Sequence, residues 1–375
     1  MDDPGDPRAA ATRPPRGRRS GRRGRPAAAL LVIVVAGLAA VAGMVLFARG
    51  TDEKPPARPH GPYVVGVWTF GDSASLDRAL DAGALDDVSL DWLQSRADGS
   101  VEAPRFDGAF LEKVRKSGCT VGVTLTDYDQ SLGTFDASIP AAILATADTR
   151  RRHAEAVAEW CRTYDVDGVD LDWEALKASQ RRSFTAFVRQ LRYRLHEDGR
   201  TLAVDVVPKT YEPGGWSTPQ AQDWKALGRI ADEVRVMTYN YSGSWSGPGP
   251  LSPPGWLDAV LDFAEARIPA RKIVMGLGFY GRDWRGARTT DLVWADVRDL
   301  RATREPKSFR GPTGELTLTY EADGHTHTAF FPDAKAIDVK VRMMLREHPR
   351  IRGVYGWMLG QEQPSVWRVL DRRLH

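Results

Sequence analysis

Between Asp165 and Glu174 the sequence DVDGVDLDWE carries five carboxylates in ten positions. The residues between them, Val166, Gly168, Val169, Leu171 and Trp173, are mostly those of a buried strand. Side chains alternate along a strand, so Asp170, Asp172 and Glu174 share one face while Val169, Leu171 and Trp173 share the other. Neighbouring acids on one face then stand roughly 6.6–7 Å apart. Low dielectric and like charge both raise carboxyl pKa values, so at least one of the three is expected to hold a proton at neutral pH. Such a group does general-acid chemistry, and Glu174, at the strand's C-terminal end, is the expected proton donor. Asp167 lies out of phase beside Gly168, where it is expected to fix the turn into the strand. A cluster of acids can also hold Mg²⁺ or Ca²⁺. The calcium-loop pattern, however, needs flexible spacing, a Gly and a distal Glu, whereas apolar residues fill the gaps here. No metal and no cofactor is expected.

The acidic strand sits within a regular alternation of strands and helices. YVVGVWTF (63–70), DDVSLDWLQ (86–94), CTVGVTLT (119–126), TLAVDVVP (201–208), EVRVMTY (233–239), KIVMGLGF (272–279) and IRGVYGWML (351–359) read as the other strands. Helical patterns lie between them at 147–162, about 179–195, 256–266 and 334–347. Eight strands with helical crossovers are the pattern of a parallel sheet closed into a (β/α)8 barrel. Only one interval is too long for a simple crossover. Residues 285–333 carry ELTLTYEADGHTHTAFF, two alternating runs around an ADGH turn, so a small α+β insertion is expected between strands seven and eight.

The N-terminal part has a different composition. The chain of 375 residues has a net charge of +3, but residues 1–49 hold nine Arg and three Asp, which leaves −3 for 50–375. A slightly acidic body gives no support to a nucleic-acid partner. Residues 1–26 are Arg-, Pro- and Gly-rich, the composition of a disordered tail. Residues 27–48 are uncharged over 22 positions, long enough to cross a bilayer as a helix. Eight Arg precede that span, so the tail is expected in the cytoplasm and the body outside, joined by a Pro-rich linker at 49–61. The expected arrangement is a single-pass signal-anchor in the cell membrane; the competing reading is secretion after cleavage at AVA (40–42). Cys119 and Cys161 are compatible with one disulfide in an exported protein, and equally with two buried thiols.

Asp167, Asp170, Asp172 and Glu174 form the pattern DxxDxDxE, which resembles the signature of glycoside hydrolase family 18, the chitinase-type hydrolases. MTYN (237–240), GLGFYGRDW (276–284) and GVYGWMLG (353–360) are similar to the family's strand-six, strand-seven and strand-eight motifs, in the same order. The resemblance spans about residues 62–375. YGRDW, FFPDAKAIDVKVRMM and GWMLGQEQPSVW look like the bacterial spore-germination and cortex-lytic branch.

The resemblance implies that Glu174 protonates the leaving oxygen and that no second carboxylate acts as nucleophile. The substrate's own 2-acetamido carbonyl does so, a known exception among glycosidases. Asp172 would orient the acetamide, with Asp170 beneath it sharing a proton. Tyr239 would hydrogen-bond the acetamide carbonyl and Trp357 would form the floor under the sugar ring. Met237, Asn240 and Tyr280 would line the substrate site. The implied partner is an N-acetylglucosamine-containing polysaccharide, peptidoglycan or chitin. Three departures bear on the substrate. Asn240 stands where the family has Asp, VTLTDYDQSLG (123–133) replaces the third-strand Ser-x-Gly-Gly, and Glu174 is followed by Ala-Leu-Lys in place of Tyr-Pro. These weaken a chitinase assignment and leave the hydrolase reading intact. The alternative is a non-catalytic carbohydrate-binding protein on the same barrel; such relatives typically lose the Glu that is present here.

Overall fold

The computed structural model describes residues 62–69 and 73–375. Eight parallel strands form its centre: β1 (Tyr63–Trp68), β2 (Asp87–Ser95), β3 (Thr120–Thr126), β4 (Gly168–Asp172), β5 (Thr201–Val206), β6 (Glu233–Val236), β7 (Ile273–Gly278) and β8 (Gly353–Trp357). Each strand pairs with its neighbours in chain order. The sheet closes because β1 pairs with β2 in one direction (Val65 opposite Asp87) and with β8 in the other (Tyr63 opposite Gly353). One helix follows each strand around the outside: α1 (Ala74–Asp81), α2 (Gly108–Lys116), α3 (Ala147–Tyr164), α4 (Arg181–Glu197), α5 (Trp224–Ile230), α6 (Pro254–Glu265), α7 (Ala334–Glu347) and α8 (Val366–Leu374). This is the expected (β/α)8 barrel.

Alternation along the strands builds two cores. Outward residues such as Val169, Leu171, Leu202, Val204, Val234 and Val236 meet the helices in one large apolar cluster. Helix α4 joins it through Phe184, Phe187, Val188, Leu191 and Leu195, an apolar stripe at helical spacing. Helix α3 begins at a capping box between Thr146 and Thr149 and ends where Asp165 turns left-handed at φ 47°. A second, smaller cluster fills the barrel's interior with Tyr63, Val65, Val67, Val207, Met237, Tyr239, Val274 and Tyr355.

The interval between β7 and β8 holds more than a hairpin. Five antiparallel strands, Gly281–Arg285, Arg288–Leu292, Lys307–Arg310, Leu316–Ala322 and His325–Phe331, form one sheet with a helix at Trp294–Thr303. The two runs expected around ADGH are its central hairpin, with Leu316 opposite Phe331. The sheet reaches back to Gly281, four residues before the expected start of the insertion.

Other expectations need correction. Pairing in β4 ends at Asp172 and in β6 at Val236, so Glu174 and Tyr239 follow their strands and do not lie within them. Of the two readings open for the cysteines, the structure has the separate thiols, with Cys161 buried and Cys119 partly so. The Cys119 thiol donates to the Leu85 carbonyl at 3.3 Å, and Cys161 is buried among the helices, where burial pushes its pKa up to about 12. Residues 1–26, the span at 27–48 and the linker at 49–61 lie outside the described residues. Among the described residues no helix is long and apolar enough to cross a membrane.

Candidate active site

The acidic strand directs its two faces as alternation requires. Trp173 points outward, fully buried, stacks on Phe187 at 4.8 Å and donates through Nε1 to Ser95 Oγ at 3.1 Å. His153 completes this outer contact: its Nδ1 donates to the Gly99 carbonyl at 2.9 Å, its Nε2 lies 3.0 Å from Ser95 Oγ, and burial lowers its pKa to about 4. Asp170 and Asp172 point inward and are buried. Asp172 and Glu174 reach the mouth of the barrel, where they line a cleft of about 600 Å³ together with Met237, Tyr239, Asn240, Tyr280 and Trp357. The cleft lies at the C-terminal ends of the strands, where barrels of this kind carry their chemistry. All the residues expected at the site therefore meet there, except Asp170 beneath it and Asp167 and Gly168 at the barrel's other end. Asp167 Oδ2 accepts the Val121 amide at 2.8 Å and its own amide donates to the Val121 carbonyl, so it anchors the start of β4. At Gly168 a Cβ would stand 2.4 Å from Thr201 Oγ1, which is why no larger residue fits.

Asp170 has a different partner from the expected one. Its Oδ2 accepts from Arg235 Nη1 at 2.5 Å and from Ser89 Oγ at 3.3 Å. Arg235 is itself buried, with Asp87 and Glu233 at 3.8 and 3.7 Å. An ion pair thus fills the position given to a proton shared with Asp172. Burial raises the Asp170 pKa and Arg235 opposes that rise. The carboxyl held well above its ordinary range is Asp205, inward on β5. Burial is the main cause, and the charges of Asp170 and Asp172 add to it.

Around the acids stand phenols and a fixed backbone. The Tyr239 and Tyr355 hydroxyls are 3.0 Å apart. Burial, and then neighbouring charge, holds both far above the ordinary phenol range, so both keep their protons as hydrogen-bond donors. Gly276 makes room for them: a Cβ there would lie 2.9 and 3.0 Å from the two rings. Asn240 adopts φ 66°, a conformation Asn tolerates, and its Oδ1 accepts from Tyr280 Oη and from Arg282 Nη2 at 2.9 Å. An amide oxygen suffices for those two donors, so the position is satisfied without a carboxylate. Trp357 is partly exposed in the cleft and packs on the interior cluster.

The backbone at Glu174 is gripped from both sides. Asp127 accepts the Glu174 amide on Oδ1 and the Ala175 amide on Oδ2, each at 2.9 Å. Thr218 Oγ1 donates to the Glu174 carbonyl at 2.6 Å. Burial pushes the Asp127 pKa up to about 8, against the Ala175 amide and its own. Asp127 belongs to the divergent stretch after strand three, so that departure supplies the support under the proposed acid. Farther along the cleft, Asp91 on β2 is lifted to about 6 by burial, against the pull of Arg105.

Asp127, Arg235 and Asp205 were missed at the sequence level. The last two were within reach: both interrupt runs of Val at inward phase, the same alternation that singled out Asp170 and Asp172. Of the other tryptophans, Trp92 and Trp284 are fully buried. Trp245 is exposed, with the Arg282 guanidinium 5.4 Å from its ring. Among the described residues no cluster of His, Cys, Asp or Glu could hold a metal ion.

A parallel barrel with a deep acidic cleft at its C-terminal mouth, edged with aromatic residues, defines a glycosidase. The chain belongs to the glycosyl hydrolases family 18, whose pattern matches residues 136–362. It is 24% identical to an uncharacterized glycosylase of Bacillus subtilis, over 81% of this chain and 90% of that protein. It is 27% identical to the cortical fragment-lytic enzyme of Bacillus subtilis, over 74% of this chain but only 65% of that longer protein. Among solved structures, the Bacillus cereus spore cortex-lytic enzyme SleL superposes with a TM-score of 0.76 at 22% identity, covering 84% and 74% of the two chains. A Chromobacterium violaceum chitinase superposes with a TM-score of 0.75 at 24% identity, covering 83% and 98%. At such identities the superpositions establish the fold.

Proposed function

We propose that the protein is an extracytoplasmic, membrane-anchored hydrolase of β-linked N-acetylglucosaminides that acts by a substrate-assisted, retaining mechanism. In this reading Glu174 gives its proton to the leaving glycosidic oxygen as the substrate's 2-acetamido carbonyl attacks the anomeric carbon. The C–O bond to the leaving group breaks as the carbonyl's C–O bond forms, which yields a cyclic oxazolinium. Asp172 steadies the positive acetamide nitrogen and Tyr239 donates to the acetamide oxygen. Glu174, now ionised, takes a proton from the water that reopens the ring, so configuration is retained. Trp357 stacks under the sugar. The observation that carries this reading is the convergence of Asp172, Glu174, Tyr239 and Trp357 on one cleft.

Peptidoglycan is the proposed polymer, supported by the relatives named as cortical fragment-lytic enzymes and by the apolar span at 27–48, which would hold the barrel at the cell surface. The test uses purified peptidoglycan and chitin oligomers, with products identified by mass. Glu174→Gln keeps size and hydrogen bonding but removes the proton, so turnover should fall by about 10² to 10⁴ while sugar binding persists. An N-acetylglucosamine thiazoline oligomer, a mimic of the cyclic intermediate, should inhibit the wild type. Wild-type turnover by Glu174→Gln would end the catalytic reading. Normal cleavage of de-N-acetylated polymer would end substrate assistance. Proteolysis of intact cells should remove the barrel and spare residues 1–26, whereas a protected barrel would overturn the topology.

A further inference from the structure

The insertion sheet carries a second polar recess, of about 510 Å³, on the face opposite the cleft side of its first strand. Along Gly281–Arg285 alternation sends Arg282 to the cleft, and Asp283 and Arg285 to the other face. The strand turns at Gly286, φ 60°, and returns through Arg288, which pairs directly opposite Arg285. On its other side Arg285 faces His327, and His327 in turn faces Tyr320. One row across four strands therefore reads Arg288, Arg285, His327, Tyr320.

His327 is held by its neighbours. Its Nδ1 and Asp283 Oδ2 are 2.5 Å apart, Tyr320 Oη donates to the same oxygen at 3.1 Å, and the Tyr320 ring stacks on the imidazole at 4.8 Å. Asp283 is 93% buried by its 7% relative exposure, and its Oδ1 has no hydrogen-bond partner among the described residues; nor has His327 Nε2. Arg285 and Arg288 form no ion pair among the described residues. Like charges directly opposite on a sheet repel, and both arginines line the recess beside His327, Ser244 and Thr290. Two adjacent cations beside a cavity attract an anion, and the Asp283 carboxylate in the same lining is engaged through Oδ2 by His327 and Tyr320.

We propose that this recess is an anion subsite that receives a carboxylate or phosphate group carried by the polymer outside the cleaved sugar. Arg285 and Arg288 supply the charge, and Asp283 and Tyr320 hold His327 in position beside it. Arg282 and Arg285 are three residues apart on one strand, so the subsite lies on the order of 10 Å along the strand from the cleft wall. The polymer as carrier rests on the polysaccharide reading above; the anion site does not.

Two measurements on the full chain separate the two claims. In the first, the ring resonances of His327 are followed by NMR as inorganic phosphate is added. They should shift saturably in the wild type, and Arg285→Ala/Arg288→Ala should weaken that binding about tenfold or more, the scale of losing a charge-assisted contact. In the second, kcat/KM is compared on intact peptidoglycan strands, on strands stripped of their peptides, and on neutral chitin oligomers. The double variant should lose about tenfold on intact strands and nothing on chitin oligomers. A loss that disappears on stripped strands assigns the anion to peptide carboxylates; one that persists assigns it to the glycan. Unmoved His327 resonances, or equal phosphate binding by the double variant, would overturn the subsite. Normal phosphate binding by a wild type that cleaves neither polymer would instead overturn the polysaccharide reading.

Discussion

Replacing Arg235 by methionine would keep most of the side chain's volume and remove the only cation bonded to Asp170 among the described residues. Arg235 is buried, and its Nη1 lies 2.5 Å from Asp170 Oδ2 with Asp87 and Glu233 within 4 Å. Removing one partner of a buried ion pair costs about 3–5 kcal/mol, because the other charge stays behind in low dielectric. The cost should depend on pH. Burial already raises the Asp170 pKa and Arg235 holds the rise in check, so the variant's Asp170 binds its proton more tightly still. A raised folded-state pKa contributes stability that is present at low pH and lost as pH rises from the unfolded value near 3.9 through the folded one. Between Asp170's pKa with Arg235 and its higher pKa without it, the deficit should therefore grow with pH by about 1.4 kcal/mol per unit. Urea denaturation of wild type and Arg235→Met from pH 5 to pH 9 reads this directly. Asp170→Asn should cost less in the Arg235→Met background than in the wild type, since it removes the stranded charge. A deficit under about 1 kcal/mol at neutral pH, or one independent of pH, would refute an ion pair at the base of the cleft.

Three other outcomes follow from the same geometry. Asp127→Ala removes the acceptor of both the Glu174 and Ala175 amides; kcat should fall about 10²-fold with KM changed little, because the acid would be misplaced and the sugar contacts kept. Gly276→Ala puts a methyl against the Val236 carbonyl and the Tyr239 and Tyr355 rings; it should cost about 1–3 kcal/mol in thermal or urea unfolding and slow turnover, and wild-type stability in this variant would contradict the close packing. In the native protein a thiol reagent should label Cys119 before Cys161, whose pKa is pushed up to about 12, and denaturation without reductant should release two thiols; a count of zero would contradict the separate cysteines.

Much of this protein can be read from its sequence because the barrel is periodic. A buried strand needs apolar residues on the face that meets the helices, so charges at the other phase stand out: Asp170, Asp172 and Glu174 were visible for that reason. The eight strands, the order of their helices and the hairpin at ADGH follow from the same local rules of alternation, helical spacing and turn residues. Tertiary structure alone decided which charges are neighbours. Arg235 lies 65 positions from Asp170 and Asp127 lies 47 from Glu174; the curved barrel interior brings the first pair within bonding distance, and the pairing of β3 with β4 the second. Closure also sets pKa values, since Asp205 is driven upward by burial and by acids on an adjacent strand. The two cysteines stayed ambiguous because spacing in sequence carries no information on how their thiols are oriented. A linear chain specifies what each residue prefers; the three-dimensional packing specifies the electric field in which it works.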